Sequence, residues 1–121
     1  MNPARPARSA PRRGEVWTVD FGEPVGREQA YRRPAIVVSS DRLNQSRAGL
    51  VVVVPLTRAW RDLPSHIEIG PGESGLSETS FAKAEDIKSI STVRLVRRLG
   101  RVPSANLDQI GRALLLLLEL A

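Results

Sequence analysis

Apolar side chains recur at strand spacing through most of the chain and predict a series of short β-strands. Within residues 14–21, every second side chain from Trp17 to Phe21 is apolar, which is typical of a half-buried strand. Residues 34–40 and 50–57 are continuous apolar runs rich in β-branched residues, and they predict two buried strands. Further short strands are predicted at 65–69, from residue 79 onward and at 96–102.

Prolines, glycines and charged residues separate these strands and predict the loops between them. Pro34 suits the first residue of its strand, where no backbone donor is required, and Pro55 predicts a bulge or an unpaired edge near the end of the next strand. Residues 22–33 are rich in glycine and charge and predict a loop. Residues 41–49 are polar and predict a second loop, with room for one helical turn.

The C-terminal segment has helical periodicity and predicts one long helix. Pro103 and Ser104 open it, with Ser104 as the predicted N-cap and Asp108 near the first turn. Five apolar side chains share one face: Leu107, Ile110, Leu114, Leu117 and Leu118. Leu115 and Leu116 widen this face, so the helix is expected to be well buried or to lie in a subunit interface. Several short strands followed by one helix predict an α+β fold on a strongly bent antiparallel sheet or small barrel.

The composition indicates one soluble domain and narrows the chemistry. The 121 residues, 41% of them hydrophobic, suffice for one ordinary domain with a core. Cysteine is absent, which excludes thiolate chemistry and favours a cytoplasmic location. His66 is the single histidine, so no zinc site is expected and no metal or other cofactor is predicted. No run reaches the roughly 18 apolar residues of a membrane span, so no membrane partner is predicted.

The positive charge of the chain is concentrated in its first residues. The net charge is +5, but four of the 18 basic residues are arginines within residues 1–13, where there is no acidic residue. Without these four, 14 basic residues face 13 acidic ones, so an anion site in the folded part must come from local arrangement. Residues 1–12 are predicted to be a disordered Arg/Pro tail, either a nonspecific RNA-binding arm or a solubilising extension, and residues 13–121 the folded domain.

Seven segments of the chain together resemble one protein family. In their order and spacing they are similar to the MazF/PemK toxins of bacterial toxin–antitoxin pairs, and the resemblance covers residues 12–120: RRGEVWTVDF, GREQ, RRPAIVVSSD, VVVVPLT, LPSHIEI, AEDIKSI and LGRV. The resemblance implies an SH3-like barrel with a terminal helix. It also implies a homodimer that is neutralised by a small MazE-like antitoxin and reaches operator DNA only through that antitoxin.

The same resemblance implies a metal-independent, sequence-specific endoribonuclease that cleaves single-stranded mRNA. In this family the 2′-OH of the RNA attacks the adjacent phosphate, leaving a 2′,3′-cyclic phosphate and a 5′-OH. Such a reaction needs a base for the 2′-OH, an acid for the leaving oxygen and positive charge on the phosphorane. A paired-histidine ribonuclease is not possible within one subunit, because His66 is the only histidine.

Three residues match the family's catalytic positions. Arg33 matches the arginine of the R-P motif, and its planar fork can bind phosphate oxygens while remaining charged. Thr57 matches the catalytic threonine, whose hydroxyl can donate to a phosphate oxygen or orient the base. Glu28 matches the acidic residue of the preceding loop and can accept the 2′-OH proton or steer Arg33. The structural alternatives are an exposed charge, a strand-end threonine and a solvated loop carboxylate.

Six further residues are candidates for acid–base work or RNA binding. Lys83 and Glu85 lie two apart on a predicted strand, so they are expected to face the same side, as an acid–base pair does in some relatives. His66 is either an RNA contact or a structural hydrogen-bonding group. Trp60 can stack on a base, cap the core or meet a partner. The remaining two candidates are a phosphate contact and a neighbour of the loop acid: Ser80 and Gln29.

Two other readings of the sequence predict different functions. A CcdB-like gyrase poison shares the expected fold without cutting RNA, and a noncatalytic relative binds RNA or antitoxin and leaves the RNA whole. The densest basic run of the folded part is either an RNA-binding surface or a solvated face, and it comprises Arg94, Arg97, Arg98 and Arg101.

Overall fold

The computed structural model describes residues 10–22 and 32–120. These residues form strands β1 (Glu15–Asp20), β2 (Arg32–Val37), β3 (Leu50–Thr57), β4 (His66–Ile69), β5 (Ser80–Lys83), β6 (Lys88–Ser91) and β7 (Leu95–Arg101), and helices α1 (Asp41–Asn44) and α2 (Ser104–Leu117). Two 3₁₀ turns, Ala84–Asp86 and Thr92–Arg94, flank β6. Outside the described ranges lie residues 1–9 of the predicted tail and two predicted site residues, Glu28 and Gln29.

All strands pair antiparallel in one sheet with the order β4-β5-β3-β2-β1-β7, and β6 pairs with the first half of β3. The α+β class and the terminal helix that the sequence predicted are therefore confirmed. Among the described strands no ladder joins β4 to β7, so the sheet is not closed by hydrogen bonds. The barrel closure and the SH3-like topology remain predictions.

The two strand prolines occupy places where the ladder can spare a donor. Pro55 lies between the part of β3 that pairs with β6, ending at Val53, and the part that pairs with β5, starting at Leu56. The expectation of an unpaired edge there agrees with this break. Pro34 is the third residue of β2, opposite Thr18, and not the first, because the strand begins at Arg32.

Strands β1, β2 and β3 carry buried side chains on both faces, which explains the continuous apolar runs of β2 and β3. Alternate residues enter two clusters of buried side chains. One cluster contains Val16, Ile36 and Val54 together with Ile110 from α2. The other contains mainly residues of the opposite faces of these strands, namely Trp17, Val19, Ala35, Val37, Val51, Val53, Ile90 and Leu95. The predicted apolar face of β1 is thus confirmed, but the opposite face of the strand is also partly buried.

Helix α2 packs its first half on the sheet and leaves its last turn exposed. Ile110 and Ala113 are buried, whereas Leu116 and Leu118 are 69% and 57% exposed. The predicted cap is wrong: Ser104 is the first helical residue, and Pro103 precedes it without a side-chain capping bond. Asp108 also falls outside the first turn. None of the helices in the described ranges is long and apolar enough to cross a membrane.

The buried carboxylate of Glu15 on β1 joins the N-terminal segment to β7. Glu15 is 7% exposed and accepts hydrogen bonds from the Arg12 amide (2.8 Å), Trp17 Nε1 (3.1 Å) and Arg98 Nε (2.7 Å). Burial acts to raise the pKa of Glu15, but these hydrogen bonds and the positive charge of Arg98 outweigh it and hold the pKa below its ordinary value. The ionised form of Glu15 is therefore favoured by folding.

Acid is expected to weaken the fold through Glu15. Because its pKa is lower in the folded chain, its stabilisation is present above the unfolded pKa, near 4.5, and is lost as pH falls through the folded pKa. Glu15→Gln should therefore unfold at lower urea than the wild type at pH 7, and the difference should shrink by pH 3. Glu73→Gln, an exposed change of the same kind, should show no such difference. A constant gap between wild type and Glu15→Gln at both pH values would refute this role.

Candidate active site

A cleft of about 740 Å³ opens beside the ends of β1, β2, β3 and β5. Six cationic side chains line it, against two carboxylates from the described ranges, Glu78 and Asp86. The cations are Arg32, Arg33, Arg58, Arg61, Lys83 and Lys88. Since the folded part of the chain is nearly neutral, this concentration of positive charge results from the fold, and it suits a polyanion.

Strands β2 and β3 bring Arg33 and Thr57 to the same cleft. Ala35 on β2 pairs with Pro55 on β3 as the last pair of that ladder, and Arg33 and Thr57 each lie two residues beyond it. Both line the cleft, and Arg33 is half-buried. The Arg33 guanidinium has no hydrogen bond or ion pair with a residue of the described ranges, so it is available to an anion there.

The hydroxyl of Thr57 is oriented by the chain that follows it. Its Oγ1 accepts a hydrogen bond from the Ala59 amide at 3.2 Å, as β3 turns into the loop. The oxygen's lone pair is thereby engaged, while the hydroxyl hydrogen can still donate. Thr57 is half-buried and lines the cleft, so this hydrogen can reach a phosphate oxygen bound by Arg33.

The expected pairing of Lys83 with Glu85 is wrong. Strand β5 ends at Lys83, and the chain then enters the 3₁₀ turn Ala84–Asp86, so strand alternation does not extend to Glu85. Lys83 Nζ instead lies 2.8 Å from Asp86 Oδ2, and both residues line the cleft. Glu85 does not line the cleft but bonds His66.

His66 is a buried structural hydrogen-bonding group in this conformation. Its side chain is 2% exposed, and its Nε2 lies 2.7 Å from Glu85 Oε2. Nδ1 is buried without a hydrogen-bond partner among the described residues. Burial tends to raise the pKa of Glu85, yet the hydrogen bond with His66 and those with the Glu85 backbone and Ser65 hold that pKa below its ordinary value. The bond ties β4 to the 3₁₀ turn.

Ser80 and Trp60 differ in their relation to the cleft. Ser80 is 4% exposed and lines the cleft, and its Oγ donates to the Glu78 carbonyl at 3.3 Å. Trp60 is 65% exposed and does not line the described cleft, so its ring is free of the core. The alternative in which Trp60 caps the core is therefore wrong. Stacking on a base and contact with a partner remain the two predictions for its ring.

The basic run on β7 is mostly engaged by the fold. Arg94 donates to the Asp20 carbonyl (3.1 Å), Arg98 to Glu15, and Arg101 to the Arg13 carbonyl (3.4 Å). These arginines do not line the cleft. The structural interpretation thus accounts for three of the four.

Several residues of the cleft were not among the predicted site residues. Arg58 and Arg61 follow Thr57 directly along the chain, and this proximity was an available signal. Lys88 lies over the Phe21 ring, 5.1 Å from its centroid, a contact that depends on the pairing of β6 with β3. Asp86 faces the cleft only because the chain forms a 3₁₀ turn after β5, and the apparent strand alternation concealed that turn.

Comparison with known proteins places these features in one family. The profile of the PemK-like, MazF-like toxins of type II toxin–antitoxin systems matches residues 12–118. Endoribonuclease MazF9 of Mycobacterium tuberculosis is 41% identical over 114 residues, covering 90% of this chain and 97% of that protein. Endoribonuclease EndoA of Bacillus subtilis is 29% identical, covering 90% and 95%.

Solved structures agree with this match. A mycobacterial endoribonuclease in complex with its cognate antitoxin superposes with a TM-score of 0.76 at 29% identity, covering 93% of this chain and 98% of that one. A MazE–MazF complex from Deinococcus radiodurans superposes with a TM-score of 0.78 at 26% identity, covering 94% and 100%.

Proposed function

The chain belongs to the family of PemK-like, MazF-like toxins of type II toxin–antitoxin systems, and on this basis we propose that it is a toxin endoribonuclease that cleaves single-stranded mRNA. The observation that carries the proposal is the position of Arg33 and Thr57 in one cleft lined by six cations. Two relatives of this chain, MazF9 and EndoA, are named endoribonucleases.

The cleavage uses the 2′-OH of the RNA as nucleophile and needs no metal ion. Attack on the adjacent phosphorus forms the O2′–P bond and breaks the P–O5′ bond, leaving a 2′,3′-cyclic phosphate and a 5′-OH. Arg33 stabilises the charge that develops on the phosphorane oxygens through its planar fork. Thr57 donates to one of the same oxygens. Lys83 takes part in proton transfer. Glu28 and Gln29 lie outside the described ranges, and they remain candidates on the family resemblance, Glu28 for catalysis and Gln29 for acid–base work or RNA binding.

The other candidate residues have supporting parts in this proposal. Ser80 contacts RNA phosphate at the cleft floor, and the exposed Trp60 ring offers a stacking surface for a base. His66 and Glu85 act indirectly, since their mutual hydrogen bond holds the end of β5. Glu85 does not line the cleft and His66 lines it with a side chain that is almost fully buried, so their effect on cleavage goes through Lys83 and the 3₁₀ turn.

Replacing the Thr57 hydroxyl is expected to slow cleavage. Thr57→Val keeps the shape of the side chain but removes one hydrogen bond to a charged phosphate, which is worth roughly tenfold to a hundredfold in rate. Thr57→Ser keeps the hydroxyl and should stay within a few-fold of the wild type. Single-turnover cleavage of one RNA oligonucleotide checks both variants. Equal rates for the valine and serine variants would show that the hydroxyl has no role.

The toxin is proposed to act as a homodimer and to be neutralised by a MazE-like antitoxin. Relatives have been solved as complexes with antitoxin, in mycobacteria and in Deinococcus radiodurans. The exposed end of α2 carries apolar side chains that suit a subunit interface, among them Leu115, Leu116, Leu117 and Leu118. An antitoxin with an acidic segment would match the cationic cleft and would provide the route to operator DNA. A cytoplasmic location and an SH3-like barrel closure complete the proposal.

One experiment separates this function from its rivals. Purified protein is incubated with mixed-sequence single-stranded RNA in excess EDTA, and in parallel with gyrase and plasmid DNA. Cleavage at short recurring sequences, with gyrase unaffected, supports the proposal. Intact RNA across all sequences together with gyrase inhibition supports a CcdB-like poison, and RNA that is bound but uncut supports a noncatalytic relative.

A further inference from the structure

We propose that Asp86 is the general base of the cleavage reaction and that Lys83, its ion-pair partner, is the general acid. The assignment rests on the proposed endoribonuclease function and goes beyond it by naming the two groups that move protons. It starts from the carboxylates of the described ranges that line the cleft, which are Glu78 and Asp86.

The two carboxylates differ in the chemistry of their partners. Glu78 lies 2.6 Å from Arg58, and that guanidinium also reaches Ser77 Oγ at 3.4 Å. An arginine remains protonated, so the pair of Glu78 and Arg58 cannot exchange a proton. Asp86 lies 2.8 Å from Lys83, whose ammonium can give up a proton and whose resulting neutral amine can take one back. Asp86 and Lys83 therefore form the pair with a proton acceptor and a proton donor.

The sheet places this pair close to the phosphate site. Phe81 on β5 pairs with Thr57 on β3, and Lys83 lies two residues further along the same face of β5. One strand repeat of two residues is roughly 7 Å, a distance that the long lysine side chain spans. Asp86 is 43% exposed at its side chain, enough to meet a ribose hydroxyl, and shares the cleft with Arg33.

The backbone and His66 fix which acid faces the cleft. Residues of a 3₁₀ turn follow one another at three per turn, so Glu85 and Asp86 must point in different directions. His66 holds Glu85 at 2.7 Å, away from the cleft, and the Ala84 amide donates to the Ser65 carbonyl at 3.0 Å. Because Glu85 is held in this way, Asp86 is the acidic residue of the 3₁₀ turn whose side chain faces the cleft and Lys83.

The proton balance of the reaction closes on this pair. Asp86 takes the 2′-OH proton as the O2′–P bond forms, and the Lys83 ammonium gives a proton to O5′ as the P–O5′ bond breaks. The carboxylic acid and the neutral amine that result are 2.8 Å apart in the resting geometry. Transfer of one proton from Asp86 to Lys83 then restores both charges without any further reactant.

The first test is Asp86→Asn against a matched control, Asp108→Asn, which makes the same change at an exposed position of α2. Single-turnover cleavage of one susceptible RNA oligonucleotide and RNA affinity are measured for both, with 2′-deoxy RNA as the uncleavable ligand for affinity. Asp86→Asn is expected to lose about a hundredfold or more in maximal rate with affinity changed less than threefold. Asp108→Asn should stay within twofold of the wild type.

The second test assigns the two proton transfers separately. An RNA with sulfur in place of the scissile 5′-oxygen has a leaving group that needs no proton, so it should restore most of the rate of Lys83→Met and little of Asp86→Asn. Asp86→Glu, which keeps a carboxylate, should recover at least tenfold over Asp86→Asn and so separate lost chemistry from misfolding.

Three results would overturn the assignment while leaving the endoribonuclease function intact. The first is a wild type that cleaves RNA with the rate of Asp86→Asn within threefold of it. The second is equal rescue of Asp86→Asn and Lys83→Met by the sulfur substrate. The third is a larger loss for Glu28→Gln or Glu85→Gln than for Asp86→Asn, which would transfer the base to that residue. A wild type that cleaves no RNA overturns the proposed function and this assignment together.

Discussion

Arg33→Ala should lower the rate of RNA cleavage by a few hundredfold while the protein remains folded. The change removes a fixed, permanently charged donor from the place where phosphorane charge develops, and such groups contribute roughly 3–4 kcal/mol to the barrier. Arg33 has no partner among the described residues that its loss would leave buried and unpaired. The loss should therefore appear in single-turnover rate and not in the urea midpoint of unfolding.

Two control variants sharpen this expectation. Arg33→Lys keeps the charge but loses the planar fork, so it should recover only part of the rate. Arg47→Ala removes an arginine that is exposed and lies outside the cleft, and it should leave the rate within twofold. Undiminished cleavage by Arg33→Ala would remove Arg33 from the mechanism. An equal loss of rate in Arg47→Ala would show that the effect of Arg33→Ala comes from the change in net charge alone.

Ile36→Ala should lower the free energy of unfolding more than any other single truncation in β2, the strand that carries Arg33. Ile36 is fully buried in β2 and packs in the cluster that α2 covers. Replacing a buried isoleucine by alanine costs about 2–5 kcal/mol, because apolar contacts are lost and the cavity closes only in part. Urea unfolding followed by circular dichroism measures the difference in free energy of unfolding.

Val93, an exposed valine, supplies the control for Ile36→Ala. Val93 is 84% exposed, and Val93→Ala should change the free energy of unfolding by no more than about 0.5 kcal/mol. Under conditions where Ile36→Ala stays folded, its cleavage rate should lie near that of the wild type, since the truncation is in the core. A loss of less than 1 kcal/mol for Ile36→Ala would mean that β2 is not held by this cluster as described.

Local periodicity was sufficient to predict the C-terminal helix and every described strand except β6. The alternation around Trp17 and the apolar runs of β2 and β3 report burial that neighbouring residues impose, so each could be read along the chain. Strand β6 was missed because residues 79–90 show one continuous pattern, which the 3₁₀ turn Ala84–Asp86 interrupts. The start of α2 was misplaced because Pro103 takes the capping position without any side-chain bond. Closure of the sheet depends on long-range pairing, which periodicity does not report.

Arg33 and Thr57 were predicted as site residues from the family resemblance. They lie near the ends of the adjacent strands β2 and β3, and both line the cleft. Glu85 was placed with Lys83 because both fit an alternating pattern, but the chain leaves that pattern at Ala84 and turns Asp86 toward Lys83 instead. The partner of His66 is likewise fixed by this turn, which propensities at the sequence level do not distinguish from a strand.

The central claim, that this cleft directs the 2′-OH of RNA at its own phosphate, is tested most directly by removing that one hydroxyl. A susceptible RNA oligonucleotide and its copy with a single 2′-deoxy residue at the scissile position are incubated with the protein in excess EDTA. The account predicts that the all-ribose strand is cut to a 2′,3′-cyclic phosphate and a 5′-OH, and that the deoxy copy remains intact at that bond. Cleavage of the deoxy copy at the same bond, or an intact all-ribose strand, would contradict it.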